Sequence, residues 1–264
     1  MRAITLLYHD VVDTDQFQTS GFSGADADIY KMDLPYFKEH IRALAETVKE
    51  KPILVSELLA KKVSGRPFMV TFDDGGVTAY TNIAGVLEQQ GWRAHFFVAT
   101  NYISTPGFLR REEIADLHQR GHLIGAHSCS HPAQMADCSW DELLEEWRRS
   151  VETLQDIISM PVRTGSVPSG SYSKKVAQAA AAVGIQALFT SEPLTRCHWV
   201  AGCLVLGRYT IWRTMSPKLS VGYASGKTLP RFKQWVYWNT KKITKRIGGR
   251  AYLTVRKWIL EKAR

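Results

Sequence analysis

The chain has 264 residues, 45% of them hydrophobic and 22% charged, a balance that excludes wholesale disorder and fibrous architecture. A chain of this length buries well over half of its unfolded surface, so it needs no disulfide staples to hold a core. The net charge of +9 is gathered at one end: from Lys218 onward lie 13 of the 34 Lys and Arg but one of the 25 acidic residues, a local +12 on a body of −3. The longest weakly polar run, residues 176–189, is too short to span a bilayer and is broken by Gln178, Gly184 and Gln186. The opening MRAITLLYHD reaches His9 and Asp10 after a six-residue apolar stretch and does not read as a secretory signal peptide. Four cysteines without a CxxC pair then point to reduced thiols and a cytoplasmic setting.

The apolar run 3–8 (AITLLY) predicts a strand buried on both faces, and the polar stretch 13–28 a long surface loop. Apolar residues at Tyr36, Phe37, Ile41, Leu44 and Val48 predict a helix over 35–48, and Ser56 the cap of a short helix over 56–61. Strand and helix then alternate. Strands are expected at 68–72, 94–99, 123–126, 164–167 and 185–190, and helices at 77–90, 112–120, 139–158 and 173–183. The helix at 139 opens on a Ser-x-x-Glu capping box, Ser139 with Glu142. This βαβα rhythm predicts an α/β domain with parallel strands, barrel-like or doubly wound, over about the first 215 residues.

Two segments carry chemistry. VTFDDGG (70–76) ends a predicted buried strand in adjacent carboxylates, Asp73 and Asp74, which repel one another there unless a cation or hydrogen-bond donors compensate. AHSCSH (126–131) places His127 and His131 four residues apart past another strand end, a spacing that lets two imidazoles face one cation on a helical turn. Strand ends of parallel α/β folds converge, so one Asp and two His can form a facial N,N,O set with positions left open.

TFDDG followed some fifty residues later by H-S-x-x-H resembles the polysaccharide deacetylases (carbohydrate esterase family 4). LLYHDV, GHLIGAHSCSH, VPSGSYS, LFTSEP and LVLGRYTI extend the resemblance over roughly residues 3–213. The resemblance implies a distorted (β/α) barrel with fewer than eight strands, and metal-dependent removal of N-acetyl groups from glycans. It implies one divalent ion, zinc first, with cobalt, nickel or iron also suited, held by Asp74, His127 and His131. Asp73 takes the place of the base that deprotonates the metal-bound water. Pro168, Gly170 and Tyr172 take the place of the groove wall. Two positions depart from the family pattern: Ser166 stands where many members have an arginine, and Arg208 where many have a histidine. The general acid is thereby unassigned, and His9 at the end of the first strand is the accessory candidate.

The C-terminal segment 216–264 reads as a basic amphipathic helical tail behind a barrel of residues 1–215. Phe232, Trp235, Val236 and Ile243, and after Gly248-Gly249 Tyr252, Val255 and Ile259, fall on helical faces flanked by lysine and arginine. Basic residues with Trp and Tyr suit an anionic membrane interface, the alternative being packing of that face on the barrel. No nucleic-acid recognition motif accompanies the charge, so nucleic acid is not the expected partner. The expected function is removal of an N-acetyl or N-formyl group from an amino sugar of a glycan or lipid-linked saccharide of surface-polysaccharide synthesis, with the protein peripheral at the inner membrane face. The rival readings are hydrolysis of a small non-sugar amide and a catalytically silent glycan- or membrane-binding protein.

Overall fold

The structure, a computed structural model, describes residues 1–63 and 65–240. Its strands are β1 (Ile4–Tyr8), β2 (Val11–Val12), β3 (Met32–Asp33), β4 (Phe68–Phe72), β5 (His95–Val98), β6 (Leu123–Ala126), β7 (Thr164–Ser166), β8 (Ala187–Phe189), β9 (His198–Val200), β10 (Cys203–Leu206) and β11 (Tyr209–Thr210). Nine of them form one sheet in the order β11-β1-β4-β5-β6-β7-β8-β10-β9, while β2 and β3 pair separately. All pairings in the large sheet are parallel except that of β9 with β10. The helices are α1 (Ala25–Asp28), α2 (Leu34–Thr47), α3 (Val55–Leu59), α4 (Ala84–Gln89), α5 (Arg111–Gln119), α6 (Trp140–Ile158), α7 (Lys174–Ala182) and α8 (Pro217–Ala224).

The apolar runs of β1 and β4 are buried along their whole length, as strands covered on both faces must be. Helix α6 buries Leu143, Trp147, Ser150, Val151 and Leu154, one stripe at helical spacing, and the Trp147 ring lies against the backbone of Gly165 in β7. Its N-terminus is the expected capping box: Ser139 Oγ accepts from the Glu142 N–H at 3.3 Å, and the Glu142 carboxylate accepts from the Ser139 N–H at 2.7 Å.

The sheet is curled into a half-barrel, and its own contacts show why. Five inter-strand steps separate β4 from β10 in the strand order. A flat sheet would hold them roughly 24 Å apart at ~4.8 Å per step, yet side chains just past their ends are in hydrogen-bond contact, as described below. The curl turns the C-terminal strand ends inward around one space.

Three local features differ from the sequence expectations. The short helix α3 begins at Val55, its first turn held by Glu57, whose carboxylate accepts from the Leu54 N–H at 2.9 Å; Ser56 lies inside it. The expected helix 77–90 opens as a wide π-turn over Ala79–Ile83 before becoming α4. The 13–28 loop contains the one-turn helix α1.

Past β11 the chain continues in α8, whose Ser220 hydroxyl meets His40 Nδ1 of α2 at 2.8 Å. Residues 228–240 are helical. The rest of the expected basic tail, with Ile243, Tyr252, Val255, Trp258 and Ile259, lies outside the described residues.

Candidate active site

Register places the functional residues at one level. Tyr8 is opposite Phe72, and the Asp73 N–H donates to the Tyr8 carbonyl at 3.2 Å, so His9 and Asp73 leave adjacent strands side by side. Val98 is opposite Ala126, and Ala126 opposite Gly165, which brings His127 and Ser166 to the same rim. The turn after Asp73 is sharp: Asp74 and Gly75 have φ of 78° and 83°. Gly76 follows where a Cβ would stand 1.9 Å from the Asp10 carboxylate, so only glycine fits. Asp74 and His131 (φ 57°), two candidate ligands, are both non-glycine residues in the left-handed region.

Asp74, His127 and His131 form one cluster, their ligand atoms all within 4.8 Å of one another. His127 Nε2 is 3.3 Å and His131 Nε2 3.4 Å from Asp74 Oδ1. His127 Nδ1 is 2.9 Å from the Ser166 carbonyl, which can only accept, so that nitrogen carries a proton. In the neutral ring Nε2 therefore turns a lone pair toward a carboxylate oxygen. Two acceptors facing each other at this distance fit a cation between them, and the Nδ1–H to carbonyl bond is the usual support of a ligating histidine. The donor set thus fits a divalent ion. The His127–His131 segment is a loop and not the helical turn assumed from the spacing, with Ser128 also at positive φ. Glu146 of α6 holds that loop, accepting from the N–H groups of Cys129 (3.0 Å) and Ser130 (2.9 Å) and from Ser130 Oγ (2.5 Å).

Asp73 is bound differently. Arg208 Nη1 donates to Asp73 Oδ1 at 2.7 Å and Nη2 to Oδ2 at 2.8 Å, a bidentate pair. Ser166 Oγ donates to Asp73 Oδ2 at 2.9 Å while accepting from Arg208 Nη2 at 2.7 Å. Arg208 is itself fully buried, its Nε donating to the Thr190 carbonyl at 3.0 Å. The two departures seen in the sequence, Ser166 and Arg208, are therefore partners on the same carboxylate. Sequence reasoning set them down as two separate departures; β7 and β10 are separated in the sheet by β8 alone, and the curl brings Asp73, at the end of β4, to both.

Burial works to raise the Asp73 pKa, but the Arg208 guanidinium and then His127 outweigh it and hold the carboxyl below its ordinary value. Burial likewise opposes ionisation of Asp74, and hydrogen bonds from His127 and His131 drive it well below the ordinary range. His127 moves upward: burial disfavours its charge, and Asp73 and Asp74 override that. For His9 burial dominates over the same two carboxylates, and its pKa falls.

His9, Asp73, Asp74, His127 and His131 line one cavity of about 450 Å³. Gly170 and its neighbour Ser169 line it as well, in a turn over Pro168–Gly170. Pro168 is buried under that turn, and Tyr172 stands outside the lining, its hydroxyl 3.4 Å from His198 Nε2. Phe22, from the 13–28 loop, packs on the His131 ring with centroids 4.6 Å apart.

A curled parallel sheet carrying this cluster at its C-terminal rim defines the class: it is the fold of the polysaccharide deacetylases. Residues 60–188 match the family described as Polysaccharide deacetylase. The chain is 25% identical over 163 residues to the YxkH protein of Bacillus subtilis (strain 168), covering 60% of this chain and 57% of that one. It thus spans little more than half the length of that curated relative. Among solved structures it is similar to the Streptococcus pyogenes deacetylase PplD in complex with acetate: TM-score 0.68, 20% identity, 83% of this chain and 96% of that. It is also similar to BC0361, a polysaccharide deacetylase from Bacillus cereus: TM-score 0.71, 18% identity, 85% of this chain and 69% of that.

Proposed function

We propose that the protein is a metal-dependent carbohydrate deacetylase that hydrolyses the N-acetyl or N-formyl amide of an amino sugar. The observation that carries the proposal is the three-residue ligand cluster with a separately anchored carboxylate beside it in one cavity. Asp74, His127 and His131 would hold a divalent ion, zinc first among those suited to an N,N,O set. When bound, such an ion polarises the amide carbonyl and makes water acidic enough to attack at neutral pH. Asp73 accepts the proton of the attacking water. Arg208 and Ser166 fix the Asp73 carboxylate in one orientation and keep it ionised, the form a base requires. As the new C–O bond forms and the C–N bond breaks, that proton passes toward the departing amine. His9 is the accessory group for this transfer: it lines the cavity and its Nδ1 is buried with no partner among the described residues. The products are a free amine on the sugar and acetate or formate. That the S. pyogenes deacetylase is solved with acetate supports a pocket of this fold taking that product.

The test joins metal analysis of the purified protein to a screen for acetate and formate release from amino-sugar substrates. One equivalent of divalent metal and acyl release from at least one of them support the reading; full metal content without release from any sugar favours the silent binder.

A second part of the proposal concerns place. The segment from 216 would hold the protein at an anionic membrane at the cytoplasmic face, where a lipid-linked saccharide is presented. Its support is the +12 charge and the exposed side chains of Leu229, Phe232, Trp235 and Val236 on helix 228–240. Among the described residues no helix is long and apolar enough to cross a membrane. Liposome co-sedimentation should rise with anionic lipid and fall with salt while leaving some binding at high salt. Chains ending at about Leu229 should lose it and keep their metal; indifference of the full chain to anionic liposomes removes this part of the proposal.

A further inference from the structure

One buried cation near the site takes no part in the proposed reaction. Lys31, directly before β3, is 1% exposed. Its Nζ donates to the carbonyls of Phe17 at 2.5 Å and Ser20 at 2.7 Å, and Asp28 Oδ1 lies 3.8 Å away. Burying an ammonium is costly, and an alkyl side chain of similar length would fill the space without that cost. What an alkyl chain cannot do is hold two carbonyls of the 13–28 loop, so here the charge dictates the course of the backbone.

Ser20 is held through its side chain as well. Its Oγ donates to Asp10 Oδ1 at 2.6 Å and accepts from the Thr78 N–H at 3.1 Å, and Thr78 Oγ1 donates to the same Asp10 oxygen at 2.9 Å. Gly21 follows, its N–H on the Gly107 carbonyl at 2.8 Å, where a Cβ would stand 2.1 Å from the Asp10 carboxylate. Asp10 is the neighbour of His9, and Thr78 comes just after the turn of Asp73 and Asp74, so this network ties the loop to the candidate site. The next residue, Phe22, packs edge to face on Tyr102 and Phe108, with centroids 4.7 and 5.1 Å apart, and lies on the His131 ring.

The two candidate ligand histidines are supported differently. His127 is aimed by its Nδ1 bond to the Ser166 carbonyl. His131 Nδ1 has no hydrogen-bond partner among the described residues, and its ring is held by the packing of Phe22 instead. Phe22, Ser23, Asp26 and Ala27 line the cavity; Lys31 is too deeply buried to meet a ligand there and acts through them. The far end of the loop is anchored separately, the Ile29 carbonyl accepting the Arg213 N–H at 3.0 Å, so loss of the ammonium loosens the end that carries Phe22. Ser20, Phe22 and Lys31 all precede residue 60, where the match to the family begins.

We propose that Lys31 is a positioning residue for His131: it fastens the 13–28 loop, the loop sets Phe22 against the imidazole, and the ring thereby keeps its aim at the ion. This rests on the metal reading of Asp74, His127 and His131, and it is measured without turnover.

The experiment follows zinc release from the loaded full chain into an excess of chelating dye, with no sugar present. Lys31→Met and Phe22→Ala are each expected to release zinc about tenfold faster than the parent, the lower end of what losing a ligand's support costs. The double variant should be about as fast as either single one, since both act through one contact. Phe22→Tyr keeps the ring and should release zinc like the parent. Urea unfolding is followed alongside. A merely structural lysine would lower the midpoint of Lys31→Met and leave zinc release at the parent's rate, which overturns the proposal. A double variant about a hundredfold faster, the product of the two effects, overturns it too, because the lysine would then reach the ion by a route other than Phe22. So does failure of Lys31→Met to fold, which would make the lysine a folding residue. A parent that takes up no zinc removes the ligand cluster and this proposal together; a loaded parent whose variants all release zinc alike removes this proposal alone.

Discussion

Replacing Arg208 by methionine tests the central charge arrangement. The guanidinium is fully buried and makes two bonds of 2.7 and 2.8 Å to Asp73, whose side chain is 4% exposed. Methionine keeps much of the volume and removes the charge. Asp73 then keeps the Ser166 hydroxyl at 2.9 Å and the more distant His127 at 3.8 Å, too little to compensate a buried carboxylate. Breaking a buried ion pair from one side costs about 3–5 kcal/mol. For a domain of this size that is a fall in Tm of roughly 6–20 °C at ~2–4 °C per kcal/mol. The decisive comparison is a double-mutant cycle in EDTA, with urea unfolding of the parent, Arg208→Met, Asp73→Asn and the double variant. In the double variant no unpaired charge is left, so it should be more stable than Arg208→Met alone, with a coupling energy of about 2 kcal/mol or more. Costs of the two single changes that simply add would show that the guanidinium and carboxylate do not stabilise one another, and the account of Asp73 as an anchored anion would fail.

Other outcomes follow from the same geometry. His131→Ala should lose most of the bound divalent metal with its activity, as read by elemental analysis; undiminished metal would remove His131 from the ligand set. Asp73→Asn should keep its metal and lose roughly two or more orders of magnitude in turnover, and near-normal turnover would transfer the base role, with His9 next to be tested. Glu146→Ala frees the Cys129 and Ser130 amides and should weaken metal affinity about 10- to 100-fold in competition with a chelating dye; unchanged affinity would mean the loop holds its shape unaided. Acid should destabilise the fold through His40 and His95, both pushed down to about 4 by burial, against the hydrogen bonds to Met215 and Val70 carbonyls that favour their charged forms. His95 Nε2 accepts the Val55 N–H at 2.9 Å, so protonation breaks a bond. Since both folded values lie below the unfolded ~6.5, stability is complete above pH 6.5 and is lost as pH falls from there through 4, by up to about 3 kcal/mol for each. Urea midpoints that stay level between pH 7 and 4.5 would contradict this.

The strand and helix rhythm from Phe68 to Phe189 was legible because burial on both faces and helical stripes leave periodic marks, and the Ser139 cap because its partner lies three residues away. The clustering of Asp74, His127 and His131 was legible because Asp74 and His127 sit just past strand ends, where parallel topology forces convergence, and His131 follows His127 by four residues. Ser56 misled, since a hydroxyl near a helix start looks like a cap whether or not the preceding backbone already supplies the turn. The HSCSH spacing suggested a helical turn, but the loop is shaped by Glu146 on a helix that starts nine residues later, which no local pattern reveals. Arg208 was visible as a residue and hidden as a partner: a contact 135 residues distant depends on how far the sheet curls, and that is a sum over every strand.

The order of strands also governs how the molecule can be made. β1, formed by the first residues, lies between β4 and β11, and Asp73 meets its guanidinium only when β10 is in place. A growing chain therefore holds a carboxylate destined for burial, without its counter-ion, for some 135 residues of synthesis, and β1 gains its second neighbour only when β11, Tyr209–Thr210, has been made. The stretch 60–188 excludes β1, β10 and β11 alike. A fragment cut to it would show β4 as a bare edge and Asp73 as an unpaired anion, so the segment defined by similarity is not a unit of folding, and assembly should be late and cooperative.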